Sequence, residues 1–172
     1  MIRTRRLTIV LMIIITALIG VYASYWMYTE KQFRDKFTNV EMNTSLKFLD
    51  PVPEWNTYKI HDGAYLELIN VSTESIGFER DKDTLLLFYD LRNLTWREVK
   101  NSVNYIELSG KSDGFIEPRQ DDKPSTSIWA NPDVDPSLNR ITLRVVALGK
   151  IYQNGIATGK LTGAYIDVTL YK

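Results

Sequence analysis

The feature that most constrains this chain is a run of 22 residues, 7–28, without one charged side chain. Arg3, Arg5 and Arg6 precede it, and the mixed-charge segment TEKQFRDKFTN follows at 29–39. At 1.5 Å per residue, a helix of that length covers about 33 Å, enough for the hydrocarbon core of a bilayer. A helix apolar on every side finds no stable place on a protein surface in water. The sequence therefore predicts a basic tip at 1–6, a transmembrane helix at 7–28, and a stalk or helix extension at 29–39. In that extension Phe33 and Phe37, four residues apart, would share a helical face.

The run has a direction. Tyr22, Tyr25, Trp26 and Tyr28 crowd its far end, and rings with an apolar body and a polar edge favour the headgroup region. The three arginines at the near end would stay in the cytoplasm, which places residues 29–172 outside, in a periplasm or at a cell surface. Thr16, Gly20 and Ser24 recur every fourth residue. Small side chains in that pattern let two helix backbones approach closely, so this is a candidate face for packing against another helix. A competing reading makes the segment a cleavable leader, with Val21-Tyr22-Ala23 as the small-residue site before Ser24. Against it, the apolar run continues through Tyr25, Trp26, Met27 and Tyr28, where a leader normally turns polar.

The chain holds 21 basic and 21 acidic residues, and setting aside the three N-terminal arginines leaves 18 against 21, a net of −3. Such a domain has no basic footprint for nucleic acid. The bilayer, through residues 7–28, is the expected nonprotein partner.

Beyond the stalk the pattern alternates with period two, the signature of half-buried strands. In VEMNTSLKF, Val40, Met42, Leu46 and Phe48 fall on one side, which predicts one strand over 40–48. Further strands are predicted at 64–71, 75–80, 84–91, 103–109, 140–148 and 161–171. In the last, Ala164, Ile166, Val168 and Leu170 alternate with polar or aromatic residues. Asn154-Gly155 readily supplies the positive φ angles of a type I′ hairpin turn. Seven or eight short strands over 40–172 fit an antiparallel β-sandwich of immunoglobulin-like type, with a jelly roll as the alternative.

The chemistry-bearing residues are sparse. With no cysteine, thiol catalysis and Cys-ligated metals are excluded. The single histidine, His61, stands beside Asp62-Gly63 in an expected turn, where a solvated role is the default. Gly110-Lys111-Ser112-Asp113-Gly114 matches G-x-S-x-G, but Phe115-Ile116-Glu117-Pro118 does not open the helix that a nucleophile elbow needs, and His61 precedes the serine. The acidic pairs Asp81/Asp83, Asp121/Asp122 and Asp133/Asp135 lack EF-hand spacing and read as turn residues. No catalytic residue, metal ligand or cofactor is assigned.

Residues 111–139 break the alternation and hold four of the six prolines. Long irregular loops in compact domains tend to carry function. Phe115, Ile128 and Trp129 in this segment are therefore candidate partner contacts, with burial of the tryptophan as the opposing expectation. Three sequons, at Asn43, Asn70 and Asn93, are candidate glycosylation positions.

These observations predict a non-enzymatic, single-pass membrane protein whose outer domain binds partners, as an accessory or scaffolding subunit of a membrane or envelope complex. Other membrane or envelope subunits, or further copies of the chain, are the expected partners. The alternative is a secreted surface or filament subunit cleaved after Ala23. A small-ligand or carbohydrate-binding module ranks third.

Overall fold

The structure is a computed structural model that describes residues 2–51, 57–78, 87–90, 97–100, 106–107, 114–116, 118, 126–135 and 137–172. It divides into a helical unit and a strand unit.

Helix α1 runs Ile2–Lys36. Its portion Leu7–Lys36 is long and apolar enough to cross a membrane, with a mean hydropathy of 2.4 in its most apolar window. The expected stalk is helical almost to its end, because no proline or glycine interrupts residues 29–36. Phe33 and Phe37 share a face, their ring centroids 4.9 Å apart, and both are buried rather than solvated.

The strand unit contains β1 Val40–Met42, β2 Leu46–Phe48, β3 Ala64–Asn70, β4 Ser75–Gly77, β5 Leu87–Asp90 and β6 Arg97–Val99. It continues with β7 Ile106–Glu107, β8 Phe115–Ile116, β9 Thr126–Ala130, β10 Arg140–Gln153 and β11 Ile156–Tyr171. Among the described residues these form two sheets. One has the order β1-β11-β10-β4-β8, with β5 also pairing with β10 and carrying β6 on its other side. The second has the order β2-β3-β9-β7.

The β10–β11 hairpin is the backbone of the first sheet. Its pairing extends from Arg140–Tyr171 to Gln153–Ile156, with one register shift between Lys150 and Tyr152. Both strands are longer than the alternation alone predicts, because pairing continues past Leu148 and begins before Leu161. The turn is the one the sequence predicts: Asn154 has φ 51° and Gly155 φ 78°, the left-handed pair that a type I′ turn requires.

Inward residues of the two sheets form two apolar clusters. One gathers Leu66, Ala130, Ile141, Leu143, Val145, Val168 and Leu170; the other gathers Leu46, Leu68, Ile76, Ile116, Ile128 and Ala164. Phe48 packs against both. Each wholly buried aliphatic side chain contributes about 1.5–3 kcal/mol, so this double cluster makes a large contribution to holding the sheets together.

Three expectations need correction. Residues 40–48 are not one strand: β1 pairs with β11 in the first sheet and β2 with β3 in the second. Asn43, at φ 56°, turns the chain between them. The β1–β11 pairing is also parallel, so the strands are not antiparallel throughout. Finally, 111–139 is not one irregular loop, since it contains β8 and β9, and β9 lies inside the second sheet between β3 and β7.

Candidate functional site

Strand β9 positions the one large aromatic of the former loop segment. Alternation along TSIWA sends Thr126, Ile128 and Ala130 inward, each essentially unexposed, and turns Trp129 outward with 41% exposure. Across the ladder Trp129 faces Tyr65 of β3, and Ser127 faces Glu67. Directly opposed residues have Cβ atoms about 5 Å apart, so the two side chains share the outer face of the sheet.

The turn before β3 fixes the indole. Asp62 and Gly63 both donate their backbone N–H to Lys59 O, and Gly63 takes φ 73°. A Cβ on Gly63 would run into the carbonyl oxygen of Ala130. This tight approach presents the Asp62 carbonyl to the indole, and Trp129 Nε1 donates to it at 2.7 Å. The Asp62 carboxylate is held in turn: Thr57 Oγ1 donates to Oδ2 at 2.8 Å, and His61 Nε2 lies 3.2 Å from Oδ1. The result is an exposed ring held by the Asp62 backbone, while the Asp62 side chain is itself tied to Thr57 and His61.

The three predicted contact residues do not converge. Ile128 is wholly buried, so it belongs to the core and is closed to a partner. Phe115 is half-buried in the other sheet, where its ring meets Tyr152 edge-on at 4.8 Å. Trp129 alone remains at the surface. Tyr65 and Asp62 carried no signal in the sequence as neighbours of Trp129, because only the register of β3 against β9 and the turn before β3 bring them to the tryptophan.

On α1, Ala17, Gly20, Val21, Ser24, Tyr25 and Tyr28 line one concave face. Gly20 and Ser24 are on it; Thr16 is not among its lining residues. The hydroxyls are spent within the helix, Thr16 Oγ1 donating to Met12 O at 2.9 Å and Ser24 Oγ to Gly20 O at 2.8 Å. Tyr22, Trp26 and Tyr28 are well exposed and Tyr25 is partly so, with Tyr25 and Tyr28 6.5 Å apart.

The sequons separate. Asn43 is exposed, although its Oδ1 accepts from Tyr165 N at 3.0 Å. Asn70 is wholly buried, and its Nδ2, the atom a glycan would occupy, donates to Glu74 O and Ile116 O. A glycan there is incompatible with this fold. Asn93, the pairs Asp81/Asp83 and Asp121/Asp122, and residues 110–113 lie outside the described residues. Of the third acidic pair, Asp135 Oδ1 caps the N–H of Ser137 at 2.8 Å, as a turn residue does. Among the described residues, no three His, Cys, Asp or Glu side chains group closely enough to hold a metal ion.

No family model, curated protein or solved structure matches the chain.

Proposed function

We propose that this chain is a single-pass membrane protein with a cytoplasmic N-terminus, and that its β domain acts outside the cytoplasm by binding. The role we assign is that of an accessory or scaffolding subunit of a membrane or envelope complex. The observation that carries the reading is the uncharged, unburied helical span of α1, joined within a few residues to a domain with its own apolar core. Such a helix has no place in water, whereas a bilayer satisfies it.

An immunoglobulin-like sandwich is the finer reading of the domain. The order β2-β3-β9-β7 parallels the A-B-E-D sheet of that fold, and β11, β10 and β5 follow its G-F-C order, with β6 beyond as in variable-type domains. This order favours the immunoglobulin-like arrangement over the jelly roll. The reading assigns no catalysis.

Alkaline extraction and external protease treatment test it together. The chain is expected to stay in the membrane pellet, to begin at or near Met1, and to lose its β domain to protease added outside the cytoplasmic membrane. A soluble protein beginning at Ser24 would overturn the anchor in favour of the secreted subunit. Digestion from the cytoplasmic side alone would overturn the orientation.

A further inference from the structure

We propose that Asn43 is the acceptor of an N-linked glycan, supplied by an oligosaccharide carried on a polyprenyl diphosphate. The inference rests on the β domain lying outside the cytoplasm, and it adds a modification site to that reading.

The acceptor chemistry sets three demands. An Asn-x-Ser/Thr triplet must be present, with no proline at its centre. The amide nitrogen must be able to carry a bulky, hydrated substituent at the surface of the folded domain. The amide must also keep its hydrogen bonds once one of its N–H groups has been replaced. Asn43-Thr44-Ser45 meets the first demand.

The turn between β1 and β2 meets the other two. Asn43 and Thr44 are both exposed there. Asn43 holds φ 56°, a left-handed conformation that asparagine tolerates better than most residues. Its backbone N–H donates to Gly163 O at 2.7 Å, and its side chain accepts from Tyr165 N at 3.0 Å. The Tyr165 N–H is a donor, so the atom facing it must be the amide oxygen. Nδ2 is left without a hydrogen bond among the described residues. Glycan transfer forms the Nδ2–C1 bond as the C1–O bond to the diphosphate breaks. The diphosphate leaves with the electron pair, and the nitrogen gives up one of its two protons. Oδ1 takes no part, so the bond from Tyr165 survives.

Asn70 supplies the contrast within the same domain. It opens an equivalent triplet, Asn70-Val71-Ser72, but it is wholly buried, and its Nδ2 donates to both Glu74 O and Ile116 O. A sugar on that nitrogen would displace one of those bonds. The fold therefore separates two triplets that are equal in sequence.

The test is intact-glycopeptide mass spectrometry of the full chain recovered from the membranes of its own cells. The peptide containing Asn43 should carry a sugar mass, and the peptide containing Asn70 should carry none. Ser45→Ala should abolish the modification while leaving the Asn43–Tyr165 bond in place, and Ser45→Thr should retain it. A bare Asn43, a sugar on Asn70, or modification that persists in Ser45→Ala overturns the proposal. Ile156→Thr completes a further triplet at Asn154, in the exposed hairpin turn. Sugar on Asn154 with Asn43 bare would overturn the acceptor and leave the extracytoplasmic reading standing. External protease access to the β domain reports on that reading separately, so the two failures are distinguishable.

Discussion

The side-chain amide of Asn70 donates to the backbone carbonyl of Ile116 at 2.9 Å and so ties β3 of one sheet to β8 of the other. The same Nδ2 donates to Glu74 O at 2.7 Å, while Oδ1 accepts from Ser72 N and Ser72 Oγ at 3.0 and 2.7 Å. A buried amide with both donors and its acceptor in use is inexpensive to bury and specifies one geometry.

Replacing Asn70 with alanine removes all four bonds, the one to the Ile116 carbonyl among them. A hydrogen bond contributes about 0.5–1.5 kcal/mol net, so Asn70→Ala should lower stability by about 1–3 kcal/mol in a denaturant titration. A loss below about 0.5 kcal/mol, the scale of an ordinary surface change, would show that the tie between the sheets is dispensable.

Arg144 and Asp167 make a second testable pair. The guanidinium donates twice to the carboxylate, at 2.7 and 2.8 Å, and lies 4.5 Å from the centre of the Tyr165 ring. Arg144 is 5% exposed against 42% for Asp167, so removing the acid takes the bidentate partner from a buried guanidinium. Asp167→Ala should cost about 1–3 kcal/mol, below the full value for a deeply buried pair because the carboxylate itself is partly solvated. Arg144→Met combined with Asp167→Leu should recover most of that loss. Equal stability of the single and double variants would refute this account of the pair.

Two glycines with nearly the same φ should respond differently to alanine. Gly63 has φ 73° and Gly155 φ 78°, and the left-handed conformation alone costs a Cβ-bearing residue about 1–2 kcal/mol. Around Gly155 a Cβ meets nothing within 4 Å, whereas at Gly63 it collides with the Ala130 carbonyl. Thermal melts should therefore show Gly63→Ala falling well below Gly155→Ala. Similar melting temperatures would mean that the turn relaxes away from β9.

The helix face gives the fourth expectation. Among the described residues a Cβ on Gly20 meets nothing within 4 Å, which leaves that face room for the close approach of a neighbouring helix. Gly20→Leu should leave membrane insertion intact, since leucine is more apolar, and reduce recovery of membrane partners in a mild-detergent pull-down. Leu11→Ile, a conservative change off that face, serves as the control. Unchanged recovery with Gly20→Leu would remove the face from consideration.

Some of this protein was determined by sequence alone, wherever the deciding interaction is with solvent or between near neighbours. The uncharged run at 7–28 needs only the cost of apolar surface in water to become a membrane-length helix. Asn154-Gly155 needs only its own backbone preferences to make the hairpin turn, and the alternation of Ala164, Ile166, Val168 and Leu170 reports a buried face directly. Tertiary structure decided the rest. Residues 40–48 keep a period of two straight through the turn at Asn43, so the pattern could not show that β1 and β2 join different sheets. Strand β9 was concealed among prolines, although Thr126, Ile128 and Ala130 alternate; only pairing with β3 makes it a strand. Trp129 was legible as an aromatic out of place, but whether it lies in the core or at the surface depends on the register that sets it opposite Tyr65 and on the turn that carries Asp62 to its N–H. Those contacts span 64 and 67 residues of chain, beyond the reach of any local pattern.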